Sequence, residues 1–370
     1  MKKVLFLIHD LGRGGAEKVL VNLVNNMDRT RFDVTVIALF GGGVNEQFLA
    51  PHVHYRSVFP RMIPGNSHIM KLFSPKMLHR LCVRERYDIE VSYLEGPSAR
   101  IISGCEDEST KLVSWIHCTM QSTKMVAESF RSMREAMKCY QRYDRMAFVS
   151  QGVRDAFLKH SQLSDKGLVL YNTNESDRIL KKAKESTEEG LFEQGIFTWC
   201  SAGRLLPVKR FDRMISIQKR LVEDGYPVQL LILGEGELKA ELQQQAKNCG
   251  MDKSVGFLGY QLNPYKYVAK SDLFVCASMS EGFSTAATEA LIVGTPVCTV
   301  EVSGMKEMLG ENNEYGIVTD NDEEALYQGI KRLLDDPALL AHYRDKAAER
   351  GKTFSTENTV RAVEEMLMSL

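Results

Sequence analysis

The residues best suited to chemistry in this 370-residue chain lie in two short segments of its second half. In the first, SAGRLLPVKRFD, Arg204 and Lys209 follow a strand-like run that ends near Gly203. Two cations in a loop at the carboxyl end of a strand suit a diphosphate, because Arg offers a bidentate fork and Lys a compact charge. A solvated basic loop is the alternative, and this segment by itself does not decide between the two.

The second segment, EGFSTAATE, carries two glutamates around a predicted helix start. Ser284 is a favourable N-cap residue, which leaves Glu281 in the preceding loop and Glu289 inside the helix. The N–H groups of Phe283, Ser284 and Thr285 would then be available to a phosphate, and both carboxylates could accept hydrogen bonds from sugar hydroxyls. A capped helix whose glutamates face water is the alternative, and the cationic loop in the same half disfavours it.

A glycine-rich turn, HDLGRGGAEKVL, follows the first strand-like run near the N-terminus. Gly14 and Gly15 permit close backbone approach at the start of a helix, where an anion or sugar hydroxyls bind well. The spacing is not GxGxxG and no acidic residue ends a second strand, so a dinucleotide fold is disfavoured. A simple glycine-rich connection is the alternative for this turn.

Short β-rich runs alternate with helical patterns along the chain, which predicts parallel sheets built from βαβ units. The first half contains strand candidates at Val4–Ile8, Asp33–Leu39, Ile89–Tyr93, Leu112–Ile116 and Met146–Val149. The second half contains Phe197–Ser201, Val228–Leu233, Val255–Phe257, Leu273–Cys276 and Val297–Val300. We therefore expect an α/β protein with two doubly wound Rossmann-like domains that face each other across a cleft at the carboxyl ends of their strands.

The domain boundaries follow from composition. Residues 1–173 form the predicted first domain, and the polar, charged stretch 174–190 is expected to be a linker. Residues 191–352 form the predicted second domain, and 353–370 a C-terminal helix that packs back toward the first.

Composition excludes several classes of protein. Hydrophobic residues make up 44% and charged residues 26%, as in ordinary globular proteins. The chain contains no apolar run long enough to span a membrane. At the N-terminus the apolar stretch Val4–Ile8 is short and runs into His9 and Asp10, which predicts a buried strand rather than a signal peptide. Eight scattered cysteines without metal-ligand spacing predict reduced core thiols, a cytoplasmic location and no metal site.

The first half is basic, with 24 Lys and Arg against 17 Asp and Glu in residues 1–170. From Arg56 to Arg86 there are seven cations and one acid, interleaved with apolar residues, and a second basic stretch runs from Arg131 to Arg145. Such a surface could rest on an anionic membrane. A core stripe with a solvated charged face is the alternative, and nucleic acid is disfavoured because aromatic residues are not interleaved as stacking platforms.

Together these motifs identify a family. GGAE, SAGRL with the following Lys, GEGE at Gly234–Glu237, FLGY at Phe257–Tyr260 and the E-x7-E pair occur in an order that resembles family 4 of the retaining GT-B glycosyltransferases, glycosyl transferases group 1. The resemblance covers nearly the whole chain. Two departures are Ser284, where many members have Pro after EGF, and Thr173, which replaces the proline of a YNP turn.

The resemblance implies a set of site residues. Arg204 and Lys209 would neutralise the donor diphosphate, and with Glu281 and His117 they form the expected catalytic set. Glu289 would bind the ribose, Glu281 the donor sugar, and His117, after a strand of the first domain, would lie beside the reacting sugar, although an isolated histidine is often structural. The segment 258–260 would lie by the base, and Gly14 and Gly15 would close the other side of the cleft. The full expected donor set is Gly14, Gly15, Gly203, Arg204, Lys209, Gly234, Leu258, Gly259, Tyr260, Glu281, Gly282, Phe283, Ser284, Thr285 and Glu289.

The activity that the resemblance implies is transfer, with retention, of a hexose or N-acetylhexosamine from a nucleotide sugar held by the second domain. UDP is the favoured nucleotide, and no metal or other cofactor is expected. The acceptor, bound by the first domain, would be a saccharide or a lipid-linked molecule of cell-surface polysaccharide or glycolipid synthesis at the inner face of the plasma membrane. The alternatives are a non-catalytic sugar-nucleotide sensor or scaffold, and a glycogen-synthase-like or sugar-phosphate-using GT-B enzyme.

Overall fold

The computed structural model describes residues 1–12, 14–161, 163–164 and 167–370. The chain divides into two compact units. The first consists of Met1–Asn174 and Thr356–Leu370, and the second of Glu175–Ser355.

The first unit is built on a parallel sheet whose strand order is β3-β2-β1-β4-β5-β6-β7. Its strands are β1 (Lys2–Ile8), β2 (Phe32–Phe40), β3 (His54–Phe59), β4 (Ile89–Ser92), β5 (Lys111–Ile116), β6 (Arg145–Phe148) and β7 (Gly167–Val169). Its helices up to the first crossing between units are α1 (Gly15–Asn26), α2 (Asn66–Met70), α3 (Pro75–Cys82), α4 (Pro97–Ile102), α5 (Thr123–Val126), α6 (Met133–Gln141) and α7 (Gln151–Ser161).

The second unit repeats this plan around a parallel sheet of order β10-β9-β8-β11-β12-β13. Its strands are β8 (Phe197–Ala202), β9 (Val228–Leu233), β10 (Val255–Gly259), β11 (Leu273–Cys276), β12 (Val297–Val300) and β13 (Ile317–Thr319). Its helices are α8 (Ser176–Ala183), α9 (Phe211–Glu223), α10 (Lys239–Asn248), α11 (Tyr265–Val268), α12 (Thr285–Ile292), α13 (Met305–Leu309), α14 (Glu323–Asp335) and α15 (Pro337–Gly351), and α16 (Thr356–Met368) returns to the first unit.

The central strands are apolar on both faces because helices cover both sides of each sheet. Phe6, Val91 and Val113 in the first sheet and Leu230 and Val275 in the second are fully buried. The α/β class, the doubly wound order and the ten predicted strands are confirmed, with ends that differ by at most two residues.

Three strands, β3, β7 and β13, were not predicted, and each lies at a sheet edge. The half-buried β3 reads HYRSVF, without a continuous apolar run, and β7 and β13 have three residues each. Edge strands bury one side less completely, so their sequences carry a weaker hydrophobic signal.

The segment 174–190, expected to be a linker, contains α8, which is part of the second unit. Ile179 is buried against Tyr265 and Ile292. The high charge of this segment reflects the solvated face of a helix that is anchored by Ile179, with Ala183 partly buried beside it.

The first unit also holds the C-terminal helix α16. Glu364 Oε1 accepts a hydrogen bond from the Asp28 N–H at 2.6 Å, and Lys2 Nζ donates to the Leu367 carbonyl at 3.1 Å. Thr356 Oγ1 donates to the Asn174 carbonyl at 2.7 Å, which ties together the two points where the chain leaves and re-enters this unit.

Candidate active site

In the second unit, the loops after β8 and β9 are joined backbone to backbone. The Gly203 N–H donates to the Leu233 carbonyl and the Leu205 N–H to the Glu235 carbonyl, both at 2.9 Å. A Cβ at Gly234, where φ is +142°, would lie 1.9 Å from the Gly203 carbonyl oxygen. Only glycine fits there, and this close approach holds the loop that carries the predicted cations.

The two predicted cations differ in their surroundings. Lys209 ends a short 3-10 turn, and its Nζ lies 2.6 Å from Glu281 Oε1. Arg204 is exposed, and no residue that the structure describes pairs with its guanidinium. A Cβ at Gly203, between the strand and Arg204, would lie 3.9 Å from Phe211 Cζ, an ordinary van der Waals contact, so the fold has room for a Cβ at this position.

Glu281 is the central residue of a largely buried cluster of polar side chains. Its Oε1 accepts hydrogen bonds from Lys209 Nζ and from Ser278 Oγ, both at 2.6 Å, and from Cys276 Sγ at 3.8 Å. Its side chain is 11% exposed, so its charge needs these partners. Sequence reasoning missed Ser278, and the only signal was its position three residues before Glu281.

Helix α12 begins where its sequence predicts. Ser284 is the N-cap, and its Oγ accepts a hydrogen bond from the Ala287 N–H at 3.3 Å, so the helix start is confirmed without the usual proline. Phe283 is buried and its ring lies 5.6 Å from that of Phe354. Glu289, inside the helix, accepts a hydrogen bond from Tyr265 Oη at 3.2 Å.

The end of β10 is held against the same loops. The Gly259 carbonyl accepts from the Gly234 N–H at 2.8 Å, and the Leu258 carbonyl accepts from Gln261 Nε2 at 2.6 Å. Both carbonyls are therefore engaged within the protein, whereas the Tyr260 side chain is 65% exposed. The Tyr260 ring is therefore one group of the predicted base-binding segment that the fold leaves open to a ligand.

The predicted donor residues of the second unit thus follow the carboxyl ends of β8, β9, β10 and β11, which share one edge of the sheet. Ligands of doubly wound sheets bind at this edge. The residues are Gly203, Arg204, Lys209, Gly234, Leu258, Gly259, Tyr260, Glu281, Gly282, Phe283, Ser284, Thr285 and Glu289.

The remaining predicted residues lie in the first unit, at the carboxyl ends of β1 and β5. Gly14 is the N-cap of α1 and Gly15 its first residue. A Cβ at Gly14 would lie 2.0 Å from Glu17 Oε2, so the Glu17 carboxylate lies against the start of the helix. A carboxylate here complements the helix dipole, at the position where the sequence suggested an external anion or sugar hydroxyls.

His117 is a buried aromatic-cluster residue. Its ring centroid lies 4.7 Å from that of Tyr93 and 5.9 Å from that of Trp115, and its backbone N–H donates to Glu95 Oε2 at 2.8 Å. Among the described residues, none hydrogen-bonds to Nε2. Burial lowers the pKa of His117 to about 3, so the ring is neutral at physiological pH.

Sequence reasoning also missed a buried polar cluster under α3. His79 Nε2 lies 2.8 Å from Glu90 Oε2, and Cys105 Sγ lies 3.9 Å from Glu90 Oε1. Burial acts to lower the pKa of His79, but the Cys105 and Glu90 hydrogen bonds and the Glu90 charge outweigh it and raise this pKa to about 9. The three side chains have donor atoms that could hold a metal, with ligand atoms within 4.8 Å of one another, but the His79–Glu90 ion pair already balances the buried charge.

Comparison with known proteins agrees with the motifs. Residues 182–352 match the family described as Glycosyl transferases group 1, and residues 13–177 that described as Glycosyltransferase Family 4. The chain is 30% identical over 365 residues, 96% of each protein, to an N-acetylgalactosamine-N,N'-diacetylbacillosaminyl-diphospho-undecaprenol 4-alpha-N-acetylgalactosaminyltransferase of Campylobacter jejuni.

Two further similarities concern part of the chain or the fold. Over 168 residues, 45% of this chain and 42% of the other, it is 30% identical to a GDP-mannose-dependent alpha-(1-6)-phosphatidylinositol dimannoside mannosyltransferase of Mycobacterium tuberculosis. The crystal structure of Anabaena HepE in complex with UDP superposes with a TM-score of 0.78 over 100% of both chains at 20% identity. Sequence motifs, two Rossmann-like units and a full-length relative together show that the chain is a GT-B glycosyltransferase that belongs to family 4, glycosyl transferases group 1.

Proposed function

We propose that this glycosyltransferase transfers a hexose or N-acetylhexosamine, with retention of configuration, from a UDP-sugar to a lipid-linked saccharide in cell-surface polysaccharide or glycolipid synthesis. One observation carries the proposal: Arg204, Lys209 and the Ser284-capped start of α12 lie on one edge of the second sheet. An anionic diphosphate is the ligand that two cations and a helix N-terminus suit best.

Each polar group of this edge has a proposed role. Arg204, unpaired among the described residues, binds the diphosphate as a fork, and Lys209 shares its charge between the diphosphate and Glu281. Glu281, fixed by Ser278 and Lys209, accepts a hydroxyl hydrogen bond from the donor sugar, and Glu289 accepts from the ribose. The exposed Tyr260 ring offers a face to the base.

The proposed reaction is a front-face displacement. The bond from the anomeric carbon to the diphosphate oxygen breaks while the acceptor oxygen bonds to the same face, and the acceptor proton passes to the departing phosphate oxygen. The two cations and the N–H groups of α12 stabilise the charge that develops on the leaving group. Because protein groups supply this charge stabilisation, we propose that no metal is required.

His117 contributes to this reaction through hydrogen bonding. Its low pKa keeps the ring neutral, so it does not protonate a leaving group at physiological pH. Nε2 and the neighbouring Tyr93 Oη and Trp115 Nε1 are buried polar atoms with no hydrogen-bond partner among the described residues. A substrate hydroxyl or a water that reaches them would relieve the cost of about 1–3 kcal/mol for each unsatisfied group.

The lipid-linked acceptor is inferred from the Campylobacter relative, whose name contains a saccharide on diphospho-undecaprenol. Among the described residues, no helix is long and apolar enough to cross a membrane. We propose that the protein reaches such an acceptor by peripheral association with the inner face of the plasma membrane, through the basic and apolar side chains of the first unit.

Thermal stabilisation by UDP, GDP and ADP, measured in parallel without added metal, tests the donor assignment. We expect the largest increase in melting temperature with UDP and the same increase in the presence of EDTA. A larger increase with GDP would indicate a GDP-sugar donor, as in the name of the mycobacterial relative. If no nucleotide stabilises the wild type, while an Arg204→Ala variant melts identically in every condition, the diphosphate assignment is wrong.

A screen of UDP-sugars against a synthetic lipid-diphosphate saccharide then tests transfer. We expect turnover with a UDP-N-acetylhexosamine, and an α-linked product from the α-linked donor by proton NMR. A β-linked product would exclude retention, and turnover with free glucan alone would exclude the lipid-linked acceptor.

A further inference from the structure

We infer that an apolar pocket beside α2 and α3 of the first unit binds the hydrocarbon chain of a polyprenyl diphosphate acceptor. This inference rests on the proposed function, because the lipid-linked acceptor comes from there. The pocket is partly open to solvent and is lined mainly by the ends of β2 and β3 and by the two helices. Its surface is formed by apolar atoms of side chains that include Phe40, Phe59, Ile69, Phe73 and Leu81.

The mouth of the pocket exposes apolar side chains to an unusual extent. Of its lining residues, Ile63, Ile69, Phe73 and Leu81 are between 40% and 48% exposed. Single exposed apolar residues are common, but a contiguous group around a pocket marks a binding surface.

Two arginines, the buried Arg100 and the exposed Arg131, hold the backbone that presents these side chains. Arg100, 1% exposed, donates to the carbonyls of Met70 and Phe73, both at 2.7 Å. Arg131 donates to the carbonyls of Lys71 and of Leu72, the latter at 2.8 Å. Four successive carbonyls are therefore engaged by two guanidinium groups, so the apolar side chains of this turn are presented by an ordered backbone.

These contacts also revise the predicted basic surface. Arg131 and Arg142 are exposed, but both donate to backbone carbonyls of the unit, Arg142 to that of Cys105 at 2.6 Å, so their guanidinium groups are partly engaged within the protein. Arg61, Lys71 and Arg84 each lie within two residues of a lining residue in the sequence, and their side chains pair with no residue that the structure describes. They supply positive charge next to an apolar cavity, which matches a diphosphate joined to a hydrocarbon chain.

A hydrocarbon chain fits this pocket better than a protein segment does. A peptide would bring backbone N–H and C=O groups that need partners, and the apolar lining together with the engaged carbonyls of 70–73 offers none. A prenyl chain brings no polar group and gains from burial of the part of its surface that enters the pocket.

The pocket also lies where an acceptor chain would have to begin. It is lined by the carboxyl ends of β2 and β3, and β1, whose carboxyl end leads to Gly14, is the next strand in the sheet. At about 4.8 Å between strands, β3 and β1 are roughly 10 Å apart. The Phe40 ring of the pocket lies 5.0 Å from the ring of His9, at the end of β1. A saccharide diphosphate can span this distance along one edge of the sheet.

The test compares Leu81→Gln and Phe73→Gln with Leu180→Gln, a control on α8 whose side chain is 43% exposed. Binding of long-chain and of short-chain polyprenyl monophosphate is measured by thermal stabilisation and by titration. We expect each pocket variant to lose at least tenfold in affinity for the long chain, from the loss of a buried apolar contact, with less than twofold change for the short chain. The control should match the wild type.

Acceptor kinetics separate this inference from the proposed function. The apparent KM of both pocket variants should rise at least tenfold for a long-chain acceptor and stay within twofold for a short-chain one. Unchanged chain-length dependence in variants that melt like the wild type overturns the pocket assignment, even where transfer itself is intact. Equal loss of binding to anionic vesicles that lack polyprenyl lipid also overturns it, in favour of a general bilayer contact. Chain-length-selective binding without any transfer supports the pocket and overturns the proposed acceptor.

Discussion

The carboxyl edges of the two sheets differ in the hydrogen bonding and burial of their polar side chains. In the second unit, Lys209, Ser278 and Glu281 are joined by hydrogen bonds of 2.6 Å, and Arg204 remains exposed beside them. In the first unit, His117 is buried among aromatic rings and neutral, and an apolar pocket opens at the ends of β2 and β3. The same doubly wound plan therefore carries a charged edge suited to a nucleoside diphosphate and a largely apolar edge suited to a different ligand. Fold alone does not assign these roles, because the side chains of the loops decide them.

The largest effect is expected when a cation of the charged edge is removed. Lys209→Met should lower turnover about 10²–10³-fold, because it removes a cation from the developing charge of the leaving group. The control is Lys346→Met, which removes an ion pair of 2.7 Å on the surface of α15 and should leave turnover within twofold. Steady-state rates of the two variants measure the difference. Turnover of Lys209→Met near that of the wild type would show that this cation has no part in the chemistry.

Substitutions at two glycines of the charged edge distinguish an effect on stability from an effect on nucleotide binding. Gly234→Ala should destabilise the protein by more than about 2 kcal/mol, because its Cβ would overlap the Gly203 carbonyl at a φ of +142°. Gly203→Ala has space for its Cβ, so its free energy of unfolding should change by less than about 1 kcal/mol, while affinity for the nucleotide falls. Denaturant unfolding and nucleotide titration give the two quantities. Equal destabilisation by both changes would contradict this division.

A third prediction concerns the buried ion pair behind the apolar edge. The pKa of His79 is raised to about 9, so its pair with Glu90 stabilises the fold fully below the ordinary histidine pKa of about 6.5 and loses this contribution as pH rises through 9. The expected loss is roughly 1–3 kcal/mol between pH 6.5 and 10. Urea unfolding of the wild type and of His79→Gln over this range measures it, since the variant should lack the decline.

His54→Gln is the matched control for this ion pair. His54 lies 3.2 Å from Asp33 but its side chain is 69% exposed, so its removal should leave the pH dependence of stability unchanged. If the wild type and His79→Gln lose stability in parallel above pH 6.5, the buried pair is not the cause of the decline.

The smallest expected effect is a pH dependence that is absent. Because burial holds the pKa of His117 near 3, the ring does not titrate between pH 5 and 8. The ratio of kcat/KM between the wild type and His117→Gln should therefore be constant over this range. A ratio that changes with an inflection near pH 6.5 would show that His117 becomes charged during turnover.

Much of the charged edge could be predicted from sequence because its signals are local. The strand before Arg204 and the cap at Ser284 each follow from a few neighbouring residues, and the structure places both as expected. Ser278 was missed because a spacing of three residues does not by itself show that its hydroxyl meets the Glu281 carboxylate. The linker prediction missed helix α8 for a different reason, since the burial of Ile179 depends on Tyr265 and Ile292, which lie far along the chain.

The sequence by itself determined the α/β class, the family and the positions of the predicted donor residues, because periodicity, glycines and caps act over a few residues. Tertiary structure alone decided which of these residues meet. Lys209 and Glu281 are 72 residues apart, and Arg131 reaches carbonyls 59 and 60 residues away. Burial of His117 and the apolar pocket likewise come from strand order and helix packing. Such contacts depend on which segments the fold brings together. The pKa of a group and the role of its charge depend on the partners that it contacts there.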